Sequence, residues 1–137
     1  MQWSPAPGAG FTAANVEPWL PFGDIAACNV EDQRRDPDSM LSLCRDLIGL
    51  RAAIPDLRAG NYKRVAAGGG LWAWRRGERV IVALNLGDDP AWLDLANGIV
   101  RIGTERERDG QRVAGSLALG PWEGAIVWLD EPQADPA

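Results

Sequence analysis

DPDSMLSLCRDLIGLR, residues Asp36 to Arg51, is the strongly helix-periodic stretch between an irregular first third and a strand-rich remainder. At about 100° per residue, Met40, Leu41, Leu43, Cys44, Leu47, Ile48 and Leu50 cover roughly half the helix circumference, wider than the ~100° stripe that faces a single layer. Such a helix needs two partners. Asp36 is placed to cap it, Pro37 suits its first position, and Asp38 adds negative charge near the positive end of the dipole. Pro55, after Ile54, marks the stop. Arg51 falls within the apolar arc near the helix end, where it must snorkel outward, meet carbonyls or find a carboxylate.

Upstream, residues 1 to 35 carry Trp3, Phe11, Trp19 and Phe22 among Pro5, Pro7, Pro18, Pro21 and several glycines, with no sustained period. This reads as a long loop. A structureless loop of ~35 residues is unusual in a compact domain, and its aromatics need a surface to cover. The expectation is a cut through a larger protein, with the packing partner of this loop absent.

Downstream, the period moves from 3.6 to 2. Tyr62 to Val65, Leu71 to Arg75, Trp92 to Leu95, Ile99 to Ile102, Ser116 to Leu119 and Ala125 to Leu129 read as short strands separated by turn residues. RVIVALNL, Arg79 to Leu86, is the central-strand candidate, β-branched and ended by Gly87, Asp88, Asp89 and Pro90. Asp109 with Gly110 signals a hairpin between Thr104 to Arg108 and Gln111 to Val113. Six to eight short strands predict an antiparallel β-sandwich. The change of organisation near Gly60 sets the expected boundary, giving residues 1–59, a sandwich over 60–130, and a disordered tail over 131–137.

The 137 residues suffice for one domain with a core. A net charge of −5 makes binding to a phosphate backbone improbable, since that needs a concentrated basic surface. No run approaches the ~18 apolar residues of a membrane span, and residues 1 to 20 lack the pattern of a signal peptide, so a cytoplasmic location is expected. Cys28 and Cys44 form no metal-ligand spacing and are expected to be reduced thiols. There is no histidine. That excludes Ser/His/Asp and Cys/His nucleophilic sites and the usual His-containing zinc sites; no metal or cofactor is expected. The 19 acidic residues leave paired-carboxylate chemistry open, but counting cannot place two of them across a pocket.

Seven tryptophans invite a sugar-binding reading, because pyranose faces stack on flat aromatic rings. Trp72 and Trp74, two apart on a strand, share one face, and with Trp92 they are the candidate platform. The competing reading buries Trp72 and Trp74 in the sandwich core or against a neighbouring domain. Trp122 and Trp128, flanking a strongly apolar strand, are expected to be core. Gly68 to Gly70 read as a flexible turn, since no helix start or lysine follows to make a phosphate cradle. Arg101, Arg106, Arg108 and Arg112 interleave with Glu105, Glu107 and Asp109, as on a solvated hairpin.

MQWSPAPGAGF at the start, then PWLPFGD, NVEDQRRDPDSMLSLCRDLIGLR, IPDLRAGNY and VIVALNLG, taken in this order, resemble the C-terminal part of an α-glucosidase of the α-amylase superfamily, glycoside hydrolase family 13, in its α-glucosidase and oligo-1,6-glucosidase branch. The resemblance runs from Met1 to about Leu129. It implies that residues 1 to 35 match the loop after the last strand of a β/α barrel, 36 to 54 its last helix, and 60 to 130 the sandwich that follows. It also implies that the family's aspartate nucleophile, glutamate acid/base and transition-state aspartate lie upstream of the M-Q-W motif. The chain is then expected to be inactive alone, a structural fragment whose partners are the missing barrel and, through the parent enzyme, an α-glucosidic oligosaccharide. Gln2 and Trp3 match a motif near the family's substrate pocket; structural packing of the loop is the alternative. Two further functions stay open: an independent carbohydrate-binding module, and an interaction module that self-associates through the helix Asp36 to Arg51.

Overall fold

The computed structural model describes residues 2–132. Most of the expected tail, residues 133–137, lies outside them. The chain divides into two compact units, Met1–Leu47 and Ile48–Ala137, so the division falls within the long helix.

In the first unit the expected loop contains a short helix, α1 (Val30–Gln33). Asn29 nucleates it: its Oδ1 accepts from Asp32 N at 2.9 Å, satisfying a free donor of the first turn. The amide of Asn29 also donates to Ile25 O at 3.0 Å and to Asp32 Oδ2 at 2.7 Å, so this residue is buried without an idle polar atom. The long helix, α2 (Met40–Ala53), starts later than the sequence suggests. Ser39, not Asp36, provides the cap, its Oγ accepting from Ser42 N at 3.2 Å. Asp36 instead closes the preceding turn. Its Oδ1 accepts from Asp38 N, and its carbonyl accepts from the hydroxyls of Ser39 and Ser42. A serine three residues closer to the periodic run competes for the cap and wins because the Asp36 side chain is spent locally.

The second unit holds the end of α2, a short α3 (Pro55–Ala59) and eight strands. Pro55 stops one helix and occupies the first turn of the next. The segment leading from Pro55 toward β1 is therefore mostly helical. Arg51 meets a carbonyl, its Nη1 donating to Leu57 O at 2.8 Å near the end of α3.

The strands are β1 (Tyr62–Gly68), β2 (Leu71–Arg76), β3 (Val80–Asn85), β4 (Ala91–Asp94), β5 (Gly98–Gly103), β6 (Arg112–Val113), β7 (Ser116–Leu119) and β8 (Gly124–Leu129). They form an antiparallel sandwich. One sheet has six strands in the order β1-β2-β3-β8-β5-β6, and β4 with β7 makes the second. Alternation decides which side chains meet between the sheets: Ala73, Ile81, Ala83, Ala125, Val127 and Leu129 from the large sheet pack against Leu93, Leu95, Leu117 and Leu119. The opposite face of the large sheet is also apolar. There, Val80, Val82, Ile126 and Trp128 meet Leu50, Ile54 and Leu57 of the helical segment. The near-continuous apolar run of β3 follows from this double coverage, since Val80 and Ile81 point to opposite faces and both are fully buried.

The hairpin between 104–108 and 111–113 takes a different form. Arg106–Arg108 is a single 3-10 turn, and β6 pairs with β5 through Gly98↔Val113 and Ile99↔Arg112. Asp109 Oδ1 accepts from Gly103 N at 2.9 Å and Asp109 N donates to Arg106 O at 3.0 Å, folding the segment back before it can extend.

Candidate functional site

Gln2 is tied into the first unit by its amide. Nε2 donates to Cys28 O at 2.6 Å and to Asp24 O at 3.1 Å, and Oε1 accepts from Gly23 N at 3.1 Å. All three bonds hold the 23–28 bend against the first strand of loop. Trp3 sits beside Gly10, where a Cβ would lie 2.8 Å from Trp3 Cβ, and its backbone N donates to Ala9 O at 2.8 Å. Gly10 at φ 76° and Ala9 at φ 48° curl the chain tightly enough to make that contact. Phe11 and Phe22 stack at 6.1 Å, while Trp19 projects with 95% of its surface exposed.

An apolar groove of about 440 Å³ opens on the same unit, lined by Gln2, Cys28, Val30, Met40, Leu41 and Cys44 among others. Both thiols are free and exposed. Gln33 spans the groove wall, donating to Cys28 Sγ at 3.3 Å and accepting from Leu41 N at 3.1 Å. The amides of Gln2, Asn29 and Gln33 organise this region together with Asp24, whose Oδ1 accepts from Ala26 N and Ala27 N at 3.0 Å.

In the second unit, Trp72 and Trp74 lie on the outer face of the large sheet, opposite in register to Leu84 and Val82. They are not in the core between the sheets, because Ala73 between them points there. Their rings approach at 5.1 Å with a 47° tilt, and Tyr62 joins at 6.3 Å from Trp74. Trp72 keeps 44% of its surface exposed. Trp92 is elsewhere: on β4 it alternates with buried Leu93 and faces away from the large sheet, 64% exposed. The three tryptophans therefore do not converge. Trp128 is half-buried against Val80, as expected of core.

Trp122 corrects the reading of a core residue. It occupies the third position of a turn, Gly120 to Glu123, closed by Glu123 N donating to Gly120 O at 3.3 Å. Pro121 in second place and φ 58° at Trp122 are the type II pattern. The ring projects outward, 64% exposed, with Nε1 donating to Asp88 Oδ1 at 2.9 Å. The Gly-Pro dipeptide carried the turn signal; the apolar strand that follows it masked the direction of the ring.

The arginine-rich segment is not uniformly solvated. Arg108 reaches inward to Glu123, Ala118 O and Gln111, and Glu123 is buried. Arg112 remains outside, paired with Asp130 at 2.5 Å, and that carboxylate raises its pKa first through the hydrogen bond and then through charge. Among the described residues, no group of three or more Cys, Asp or Glu is arranged to hold a metal ion, and no helix is long and apolar enough to cross a membrane.

No family model matches the chain. Individual relatives do. Trehalose-6-phosphate hydrolase of Escherichia coli (strain K12) is 38% identical over 96% of this chain and 24% of its own length. A probable oligo-1,6-glucosidase 2 of Bacillus subtilis (strain 168) is 41% identical over 45% of this chain and 11% of its own. Among solved structures, the trehalulose synthase MutB of Pseudomonas mesoacidophila MX-45 superposes with a TM-score of 0.77 at 27% identity, covering 93% of this chain and 24% of that one. The chain thus spans about a quarter of the length of the first of these relatives. The order of sequence motifs, the sandwich and the matched segments agree, and the chain belongs to the α-glucosidase and oligo-1,6-glucosidase branch of the α-amylase superfamily, glycoside hydrolase family 13, as a counterpart of its C-terminal part.

Proposed function

We propose that the chain completes the catalytic barrel of an α-glucosidase-type enzyme and covers one side of it, doing no chemistry of its own. In this reading residues 1–59 supply the end of the barrel and 60–130 the sandwich that braces it. The observation that carries it is the state of α2. Leu50 packs on the sandwich, while Met40 and Ile48 are 66% and 70% exposed. A large apolar side chain contributes about 1.5 to 3 kcal/mol when fully buried, so the uncovered arc is a strong driving force toward a second partner. A barrel supplies one.

The reaction assigned to the complete enzyme is retaining hydrolysis of α-glucosidic bonds in oligosaccharides. That reaction uses two carboxyl groups about 5 to 5.5 Å apart, which the family resemblance places upstream of Gln2 and Trp3. Those two residues then border the substrate pocket only when the barrel is present, with the Gln2 amide fixing the shape of the bordering loop. The same reading carries the cytoplasmic location.

A chromogenic α-glucoside tests this directly. The purified chain is expected to give no turnover above blank. Mixed or co-expressed with a family barrel lacking its own C-terminal part, it is expected to restore activity. Turnover by the chain alone overturns the proposal.

The exposed Trp72, in ring contact with Trp74, favours a second reading as a carbohydrate-binding module. Saturable quenching of tryptophan fluorescence by maltotriose, lost in Trp72→Ala, is its signature. The 47° tilt weighs against a flat platform.

A further inference from the structure

We infer that Cys28 and Cys44 form one modification site, a dithiol that a low-molecular-weight disulfide of the glutathione type oxidises to an intramolecular disulfide across the groove of the first unit. Both thiols line that groove, and both are free and exposed. They come from different elements. Cys28 ends the 23–28 bend, whereas Cys44 lies on α2, on the face that it shares with Met40 and Leu41 in the groove wall.

The two thiols are presented from backbones that are held in place. Cys28 N donates to Asp24 O at 3.0 Å, its carbonyl accepts from Gln2 Nε2 at 2.6 Å, and the next residue, Asn29, caps α1. Cys44 is inside a regular helix. The side-chain amide of Gln33 joins the two walls: Nε2 donates to Cys28 Sγ at 3.3 Å, and Oε1 accepts from Leu41 N at 3.1 Å. Leu41 stands about one helical turn before Cys44. One amide and one turn of helix thus link sulfurs that are distant in sequence, and a disulfide needs their Cα atoms within about 7 Å.

The lining of the groove selects the chemistry. No charged side chain lines it, so it offers no ion partner to a phosphate, a carboxylate or a hard cation. Among the described residues no group of three or more Cys, Asp or Glu is arranged to hold a metal ion, and the sequence has no histidine, so protein side chains do not complete a tetrahedral zinc shell. Thiol–disulfide exchange needs only the pair. One protein thiolate attacks the small disulfide, forming a mixed disulfide and releasing one small thiolate. The second protein thiolate attacks the protein-side sulfur of that mixed disulfide, forming the Cys28–Cys44 bond and releasing the other. The protein loses two electrons and two protons, and the oxidant leaves as two small thiols. The crosslink closes residues 29–43, α1 included, into a covalent loop.

The experiment incubates the folded full chain with oxidised glutathione and reads intact and peptide masses. The expected product is a monomer lighter by two hydrogens, with the Cys28 and Cys44 peptides joined, in at least tenfold excess over chains carrying bound glutathione. Cys28→Ser and Cys44→Ser are each expected to stop at one bound glutathione. Both side chains are exposed, so these variants keep the fold, which unchanged circular dichroism checks. In urea that unfolds the chain, the excess of crosslink over bound glutathione is expected to fall at least tenfold. Two retained thiols, two bound glutathiones or a disulfide between two chains as the main product overturns the inference, and so does an excess that urea leaves unchanged. The readout is a mass, with no barrel and no turnover, so its failure is distinct from failure of the complementation assay.

Discussion

Arg108 on the 3-10 turn and Glu123, the residue just before β8, form an ion pair in which the carboxylate is 7% exposed and the guanidinium side chain 25% exposed. It joins two segments fifteen residues apart, and the remaining Glu123 oxygen is satisfied by Gly120 N. Removing one member of a buried pair strands the other charge, a loss of about 3 to 5 kcal/mol. Arg108→Ala and Glu123→Gln are each expected to lower the unfolding free energy by about 3 kcal/mol in urea titrations. The double variant is expected to lose clearly less than their sum. Simple additivity would show that the two groups act independently.

Asn85 ends the central strand, where an aliphatic residue would continue the pattern of β3. Its side chain is fully buried and satisfies Asp89 O, Gly120 O and Gly87 N together. Leucine has nearly the same volume but leaves these backbone groups unpaired, each at roughly 1 to 3 kcal/mol. Asn85→Leu is expected to destabilise by at least 2 kcal/mol and to release the turn carrying Trp122. Faster amide exchange at Gly87 and Gly120 in that variant is the check; exchange as slow as in the parent chain would contradict it.

How much of this was legible beforehand follows from the range of each signal. The β-branched run of β3 and the alternation in β7 speak for themselves within a few residues, so strand positions and the antiparallel sandwich are readable. The shared face of Trp72 and Trp74 is readable too. Which face it is cannot be read, because the large sheet is apolar on both sides, as buried Val80 and Ile81 demonstrate. Helix α1 is four residues long and rests on one side chain, Asn29, whose capping competes with many equally plausible turns. Trp122 departs from the expected core because periodicity says nothing about a turn residue, whose direction is set by Pro121 and a positive φ. The cap differs from Asp36 for a related reason: two candidate oxygens lie within three residues, and local hydrogen bonds choose between them.

Two glycines make opposite predictions. Gly77 has φ 60°, and a Cβ there would lie 2.2 Å from Asp56 Oδ2. Both the backbone and the space resist a side chain, and the left-handed conformation alone costs roughly 1 to 2 kcal/mol in an L-residue. Gly77→Ala is expected to destabilise by at least that amount. Gly49, inside α2, has nothing within 4 Å of its built Cβ. Gly49→Ala is expected to stabilise by about 0.5 to 1 kcal/mol, through the conformational freedom that glycine alone loses in a helix. Thermal denaturation of the two variants side by side reads both signs at once.

The exposed arc of α2 yields the prediction that bears most directly on the proposed role. Met40 and Ile48 present large apolar surfaces, and the groove beside Met40 and Leu41 adds to them. Exposed apolar side chains of this size favour association with an apolar partner. The isolated chain is expected to sediment above monomer mass at micromolar concentration, and Ile48→Lys is expected to shift it toward monomer without lowering the stability of the sandwich. A family barrel added in excess should replace the self-contact, giving a one-to-one complex. Because Ile48 is already exposed, a charge there costs the isolated chain nothing but obstructs the barrel, so the same substitution should weaken complementation at least tenfold. A monodisperse wild-type monomer that Ile48→Lys leaves unchanged, with complementation intact, would mean that this arc is not a docking face.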